Sequence, residues 1–429
     1  MVRILIKEKF IKIIKSISII IMITFIFDIN ILATYYASNN NAYSYKNISN
    51  NVKNLDYYNE NFCYNYNNLS LKFLKQLNVN NNDNIVISPI SIISLLGMIA
   101  SGASGESLRE IENLLESKQG ISNFNYNLKK YIELLSMDKN NALNLASSIW
   151  VSDSYNYIKK EYIKNIKNNF NAENYFVNFS DKNSINMINK WCSDKTNNLL
   201  NEIVEESMFN QDTIIAIISA MLFESNWENP YKLSWLKKDT FYGLNFNSLA
   251  SMMSSIENWY IKGDEEEGFI KNFENNRFAF MALLPNEDIK INDYIDSFIN
   301  QKLTSLIERK INQDIYVTIP KFSLNYQTSL NQVLQNLGVK SAFKYEKSNF
   351  KNMVNNYNNI TLSEVIHKTF IDVNLQGVKV GSLSSAIFEK CMLINIDELE
   401  KVHFNRPFLF FIIDQETNMI ITLGVCKNL

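Results

Sequence analysis

FNRPFLFFIIDQETNMIITLGVCKNL, residues Phe404 to Leu429, is the stretch on which the reading of the fold turns. It holds two short, almost unbroken apolar runs, Phe408 to Asp414 and Ile420 to Val425, and each reads as a strand. Working back from it, Thr369 to Val373, Ile315 to Phe322 and Phe278 to Leu284 are further strands. Leu330 to Leu337, ended by Gly338, is a helix. Thr213 to Trp227 is a longer apolar run, suited to a central strand covered on both faces.

The first half is more helical. Tyr66 to Leu77 has helical spacing and Asn84 to Ile87 is a short strand. Ser88-Pro89 then supplies an N-cap and a proline at the first helical position, opening a buried helix that Gly102 stops. Helices follow from Ser104 or Gly105 to Leu115 and from Tyr126 to Met137. Ala142 to Val151 is β-rich, and Tyr157 to Asn168 and Ile185 to Leu199, which carries Trp191, are again helical. Strands and helices do not alternate as a parallel α/β fold requires, nothing repeats, and no Pro/Gly-rich linker divides the chain. The expectation is one large mixed α+β domain over residues 66–429.

Two segments precede it. Residues 38–65 are rich in Asn and Tyr without periodicity and read as a disordered extension. In residues 1–37, Arg3, Lys7, Lys9, Lys12 and Lys15 stand before the apolar run Ile17 to Phe27, which is short for a bilayer span. That is a signal peptide and implies secretion; an uncleaved signal anchor is the competing reading.

A chain of 429 residues, 46% hydrophobic, can bury a sizeable core. Its 42 Lys+Arg against 44 Asp+Glu leave no net field for nucleic acid, and no strong heparin-type basic patch is expected. The four cysteines Cys63, Cys192, Cys391 and Cys426 show no metal or redox spacing, so no metal is expected, and free thiols and disulfides both stay open. With only two histidines, His367 and His403, no nucleophile elbow and no phosphate-binding glycine loop, catalysis is not expected and no cofactor is implied. The acidic run Asp264 to Glu267, between Gly263 and Gly268, reads as a solvated hairpin tip.

Several separated segments, in order, resemble the serpin family. They are NIVISPISIISLLGMIASGASGESLREI (Asn84 to Ile111), AMLFESNWENPY (Ala220 to Tyr231), ALLPNE (Ala282 to Glu287) and LGVKSAF (Leu337 to Phe343). Ile319 to Phe322, HKTFIDVNLQG (His367 to Gly377) and the segment quoted at the outset complete the set. The resemblance implies three β-sheets, eight or nine helices and an exposed reactive-centre loop. A serine or cysteine protease cleaves that loop and is trapped as an acyl-enzyme when the freed segment inserts into the large sheet. It implies a suicide-substrate inhibitor, here expected to be a secreted monomer. A non-inhibitory binding or carrier protein, or a plain protease substrate, is the alternative.

Carried onto this chain, the hinge is Gly377, Val378, Lys379, Val380, Gly381, Ser382, Leu383, Ser384, Ser385 and Ala386. Alternate residues Val378, Val380, Ser382, Ser384 and Ala386 would face the core on insertion, and none is charged. Val378 and Val380 are β-branched where the family is smallest, which should slow insertion. The family's spacing from the hinge glycine puts the reactive bond at Cys391-Met392, and a shift of one residue selects Lys390. His367 reads as structural, meeting Ser88, Ser91 and Ser219 where the sheet opens; the family usually carries Asn at the last position. Trp227 reads as a buried landmark.

Overall fold

The computed structural model describes residues 60–429 except 138–141, 155–156, 210–212, 356–359 and 379–395. The targeting segment and nearly all of the extension read from the sequence therefore lie outside the described residues. So does most of the segment expected to form the reactive loop.

Helix α1 spans Glu60–Asn78 and so begins ahead of the expected Tyr66, inside the segment read as extension. The cause is an apolar stripe that starts earlier: Phe62 is buried against Tyr66 and Phe124, ring centroids 6.3 and 5.4 Å away. Strand β1, Ile85–Ile87, leads into α2, Pro89–Gly102, in which almost every side chain is buried. Helices α3 (Gly105–Leu114), α4 (Ile121–Ser136), α5 (Lys160–Phe170) and α6 (Lys182–Lys195) follow. Asp181 caps α6, its carboxylate accepting from the Asn183 amide at 2.9 Å. The short helices α7 (Ile291–Ser297), α8 (Asn300–Glu308) and α9 (Asn331–Asn336) bring the described helices to nine.

The strands form three sheets. The largest has nine strands in the order β1, β16 (Met419–Cys426), β15 (Phe408–Asp414), β9 (Phe278–Pro285), β8 (Glu266–Asn272), β7 (Asn247–Lys262), β10 (Ile311–Pro320) and β14 (Glu400–His403). Strand β6 (Lys237–Tyr242) also pairs with β7. The two runs of Phe408 to Val425 are its β15–β16 hairpin, buried at every position. A three-stranded sheet runs β3 (Glu173–Val177), β2 (Leu143–Ser152), β4 (Ile215–Phe223). A four-stranded sheet runs β11 (Phe322–Ser329), β12 (Ile366–Val373), β13 (Gly377–Val378), β5 (Ser225–Asn226).

The expected single strand Ile315 to Phe322 is two. The chain leaves one sheet at exposed Lys321, whose amide donates to the Ser251 carbonyl at 2.7 Å, and β11 continues in another. The apolar run 213–227 is β4 and β5, and β4 is covered by α2 on one face and by α6 on the other.

Candidate functional site

Strand β12 rises to Val373, and the chain then turns on Asn374. The Asn374 amide donates to the Gly377 carbonyl at 3.0 Å, and its side-chain Oδ1 accepts from the Gln376 and Gly377 amides at 3.0 and 3.3 Å. Three donors from the opposite side moor this turn. The Trp227 amide reaches the Gln376 carbonyl at 2.8 Å, Trp227 Nε1 the Asn374 carbonyl at 2.9 Å, and the Tyr231 amide the Leu375 carbonyl at 2.8 Å. Trp227 is buried and stacks on Phe273, centroids 4.7 Å apart. The Lys271 ammonium lies 4.5 Å from the Tyr231 ring centre and pairs with buried Glu257.

The turn delivers Gly377 and Val378 into the sheet. Val378 faces Val373 on one side and Ser225 on the other, antiparallel to both, and Gly377 faces Asn226. Gly377 is glycine because of close approach: a Cβ there would meet the Ser225 carbonyl oxygen at 2.1 Å. Val378 is buried in the core. Below these residues β4 and β12 run as neighbours in the same direction, yet they belong to different sheets and no ladder joins them among the described residues. Gly377 and Val378 thus stand at the end of an interval between two half-sheets.

Under that interval lies His367, on β12. The Ser88 amide donates to its Nε2 at 3.2 Å, so the Thr369 hydroxyl, 2.6 Å away, donates there too and the ring proton sits on Nδ1. Burial pushes the imidazole pKa down to about 3, so the ring is neutral at ordinary pH. Ser88 occupies the N-cap position of α2, but its hydroxyl caps no amide; it donates to Ser91 Oγ at 3.1 Å. Ser88, Ser91 and His367 are thus bonded into one group. The Ser219 hydroxyl on β4 is buried with no hydrogen-bond partner among the described residues, as are Ser147, its direct partner on β2, and Ser94 on α2. Pairing between strands sets these neighbours, and no local sequence signal announced Ser94, Ser147 or Thr369.

Of the other hinge positions, Lys379, Val380, Gly381, Ser382, Leu383, Ser384, Ser385 and Ala386 lie outside the described residues. So do Lys390, Cys391 and Met392. Cys192 and Cys426 are buried free thiols, and burial raises the Cys192 pKa to about 12. Among the described residues no group of His, Cys, Asp or Glu could hold a metal ion, and no helix is long and apolar enough to cross a membrane.

Two half-sheets with β13 at one end of the interval between them are the arrangement the described residues form. The family model described as serpin (serine protease inhibitor) matches residues 64–429, and the chain belongs to that family. Rat (Rattus norvegicus) neuroserpin is 27% identical over 360 residues, 80% of this chain and 85% of that protein. An uncharacterized serpin-like protein of the archaeon Methanosarcina acetivorans is 27% identical over 360 residues, 82% of this chain and 83% of the relative. The native-state crystal structure of tengpin, a thermophilic serpin, superposes with a TM-score of 0.79 at 30% identity, covering 86% of this chain and 95% of tengpin.

Proposed function

We propose that the chain is an inhibitory serpin that traps a serine or cysteine protease. The protease nucleophile attacks the carbonyl of the reactive residue, Cys391 or Lys390. The peptide bond breaks, the new amine leaves with the segment that begins at Met392 or Cys391, and the carbonyl stays on the enzyme as an ester or thioester. The freed hinge segment then enters the interval between β4 and β12 before water can release the enzyme.

One observation carries this reading: Gly377 and Val378 already form the first rungs between the two half-sheets. Extending that pairing residue by residue puts Ser384, six beyond Val378, opposite His367 and Ser219, each six back from Val373 and Ser225. A small hydroxyl would meet the unpaired Ser219 hydroxyl there. The basic-then-apolar segment before residue 37 supports export, which would place the target protease outside the cell.

Incubation with a panel of serine and cysteine proteases, followed by boiling in detergent, tests the proposal. A covalent band at the summed mass of protease and inhibitor is expected with at least one enzyme, with cleavage mapped between Ile387 and Asn395. Cleavage there with no such band for any enzyme would assign the chain to the substrate or binding-protein reading.

A further inference from the structure

The near-balance of charge over the whole chain, 42 Lys+Arg against 44 Asp+Glu, hides a local excess on α5. The segment Lys159 to Asn171 holds four lysines and one acid, Glu161. At about 100° per residue, Lys160, Lys164 and Lys167 fall within about 60° of one another on one face of the helix, about 6 and 4.5 Å apart along its axis. All three are exposed. Another face carries Tyr162, Ile166 and Phe170 into the core, where the Tyr162 hydroxyl donates to the Met98 carbonyl of α2 at 3.1 Å.

A segment from far along the chain extends this stripe at its start. Ile158 bridges Val354, the Lys159 amide donates to the Met353 carbonyl at 2.8 Å, and the Lys159 ammonium donates to the Lys351 carbonyl at 2.6 Å. Exposed Lys351 therefore stands beside the first turn of α5. On neighbouring helices lysines are paired: Lys129 and Lys130 of α4 with Glu133 at 3.8 and 3.0 Å, and Lys190 of α6 with Asp194 at 3.3 Å. Among the described residues Lys160, Lys164, Lys167 and Lys351 form no ion pair. Like charges held together on one ridge repel one another and raise the local potential for an anionic partner.

We infer that this ridge is a docking surface for a linear acidic polysaccharide, one that carries sulfate or carboxylate groups along its length. It uses no residue of the hinge and does not depend on how the protein meets a protease. The groups around the lysines select this partner. A bilayer takes up the apolar face of a surface helix, and that face of α5 is committed to the core. Single-stranded nucleic acid stacks its bases on exposed aromatic rings, and from Lys159 to Asn171 the aromatic residues, Tyr162 and Phe170, are buried. Beside the lysines stand amides instead: exposed Asn168, and exposed Asn171, which ends the helix in the left-handed conformation at φ 51°. The ammonium groups meet the anions of such a polymer, and the carboxamides, donor and acceptor at once, meet its hydroxyls.

The test measures binding of the intact protein to fluorescent heparin, the probe polysaccharide, at about 0.15 M salt and above. It compares wild type with Lys160→Gln/Lys164→Gln/Lys167→Gln, with the same three positions changed to Arg, and with Lys129→Gln/Lys130→Gln/Lys190→Gln, which removes equal charge elsewhere. The α5 Gln variant should bind about tenfold or more weakly and with a flatter salt dependence, while the Arg variant and the control bind like wild type. The positions are exposed, so melting temperatures should not change, and Lys164→Gln alone should give an intermediate loss. Wild type that does not bind heparin, or equal losses in the α5 variant and the control, would overturn the inference. Tighter binding to a DNA duplex or to phosphatidylserine vesicles than to heparin, with the same dependence on the α5 lysines, would assign the ridge to that partner and overturn it too.

Discussion

His367 shows how much a single side chain can hold at the floor of the sheet. It sits between an α2 terminus and β12, neutral and accepting two donors at Nε2, and protonation would turn that acceptor into a donor facing donors. Its pKa falls from the ordinary 6.5 to about 3 on folding, so between those values the unfolded chain binds a proton that the folded one refuses. Stability therefore falls as pH drops below about 6.5, by on the order of 1.4 kcal/mol per pH unit from this residue alone, and that loss ends near the folded pKa. Urea unfolding from pH 7 to pH 4 should show the decline, and His367→Gln should flatten it by about that slope. Parallel slopes in the two proteins would remove His367 from the account. His367 is buried and accepts from the Ser88 amide. The Ser219 hydroxyl, buried on β4, has no partner among the described residues and does not join that group.

At the scale of elements, legibility followed burial. The runs that became β9, β15 and β16 are buried at every position, so their apolar continuity was visible without any partner. Strand β7 went unread because its serine-rich sequence has no clean alternation; it is fixed by β6, β10 and β8 along its length, a tertiary cause. The acidic run from Asp264 is indeed a hairpin tip, closed by the Gly263 amide on the Glu266 carbonyl at 2.9 Å. It is not wholly solvated: Glu266 opens β8 and is buried against Lys302 of α8, a contact far off in sequence. Helices α7 and α8 and strand β3 are short and were missed for lack of enough residues to show a period. The interval itself is an element-scale feature no sequence pattern shows. Amides of β4 that point away from β2, and those of β12 that point away from β11, should exchange with deuterium fast in intact protein. After nicking they should become protected together, and fast exchange at both strands in the nicked protein would mean that no strand had joined them.

For the whole molecule, the fold class was legible because separated motifs fall in order across residues 64–429. The mechanism is less so, since Val378 and Val380 are stiffer than insertion favours. Gly377 and Val378 stand in the sheet already, paired with Asn226, Ser225 and Val373. Each ladder bond contributes roughly 1 kcal/mol net, and burying Val380 adds about 2. At roughly 2 °C or more per kcal/mol, a full strand should raise the melting temperature by well over about ten degrees. Thermal melts of intact and loop-nicked protein, side by side, measure this directly. A large upward shift is the result predicted; equal midpoints would mean that the loop does not enter the sheet and would contradict the central claim.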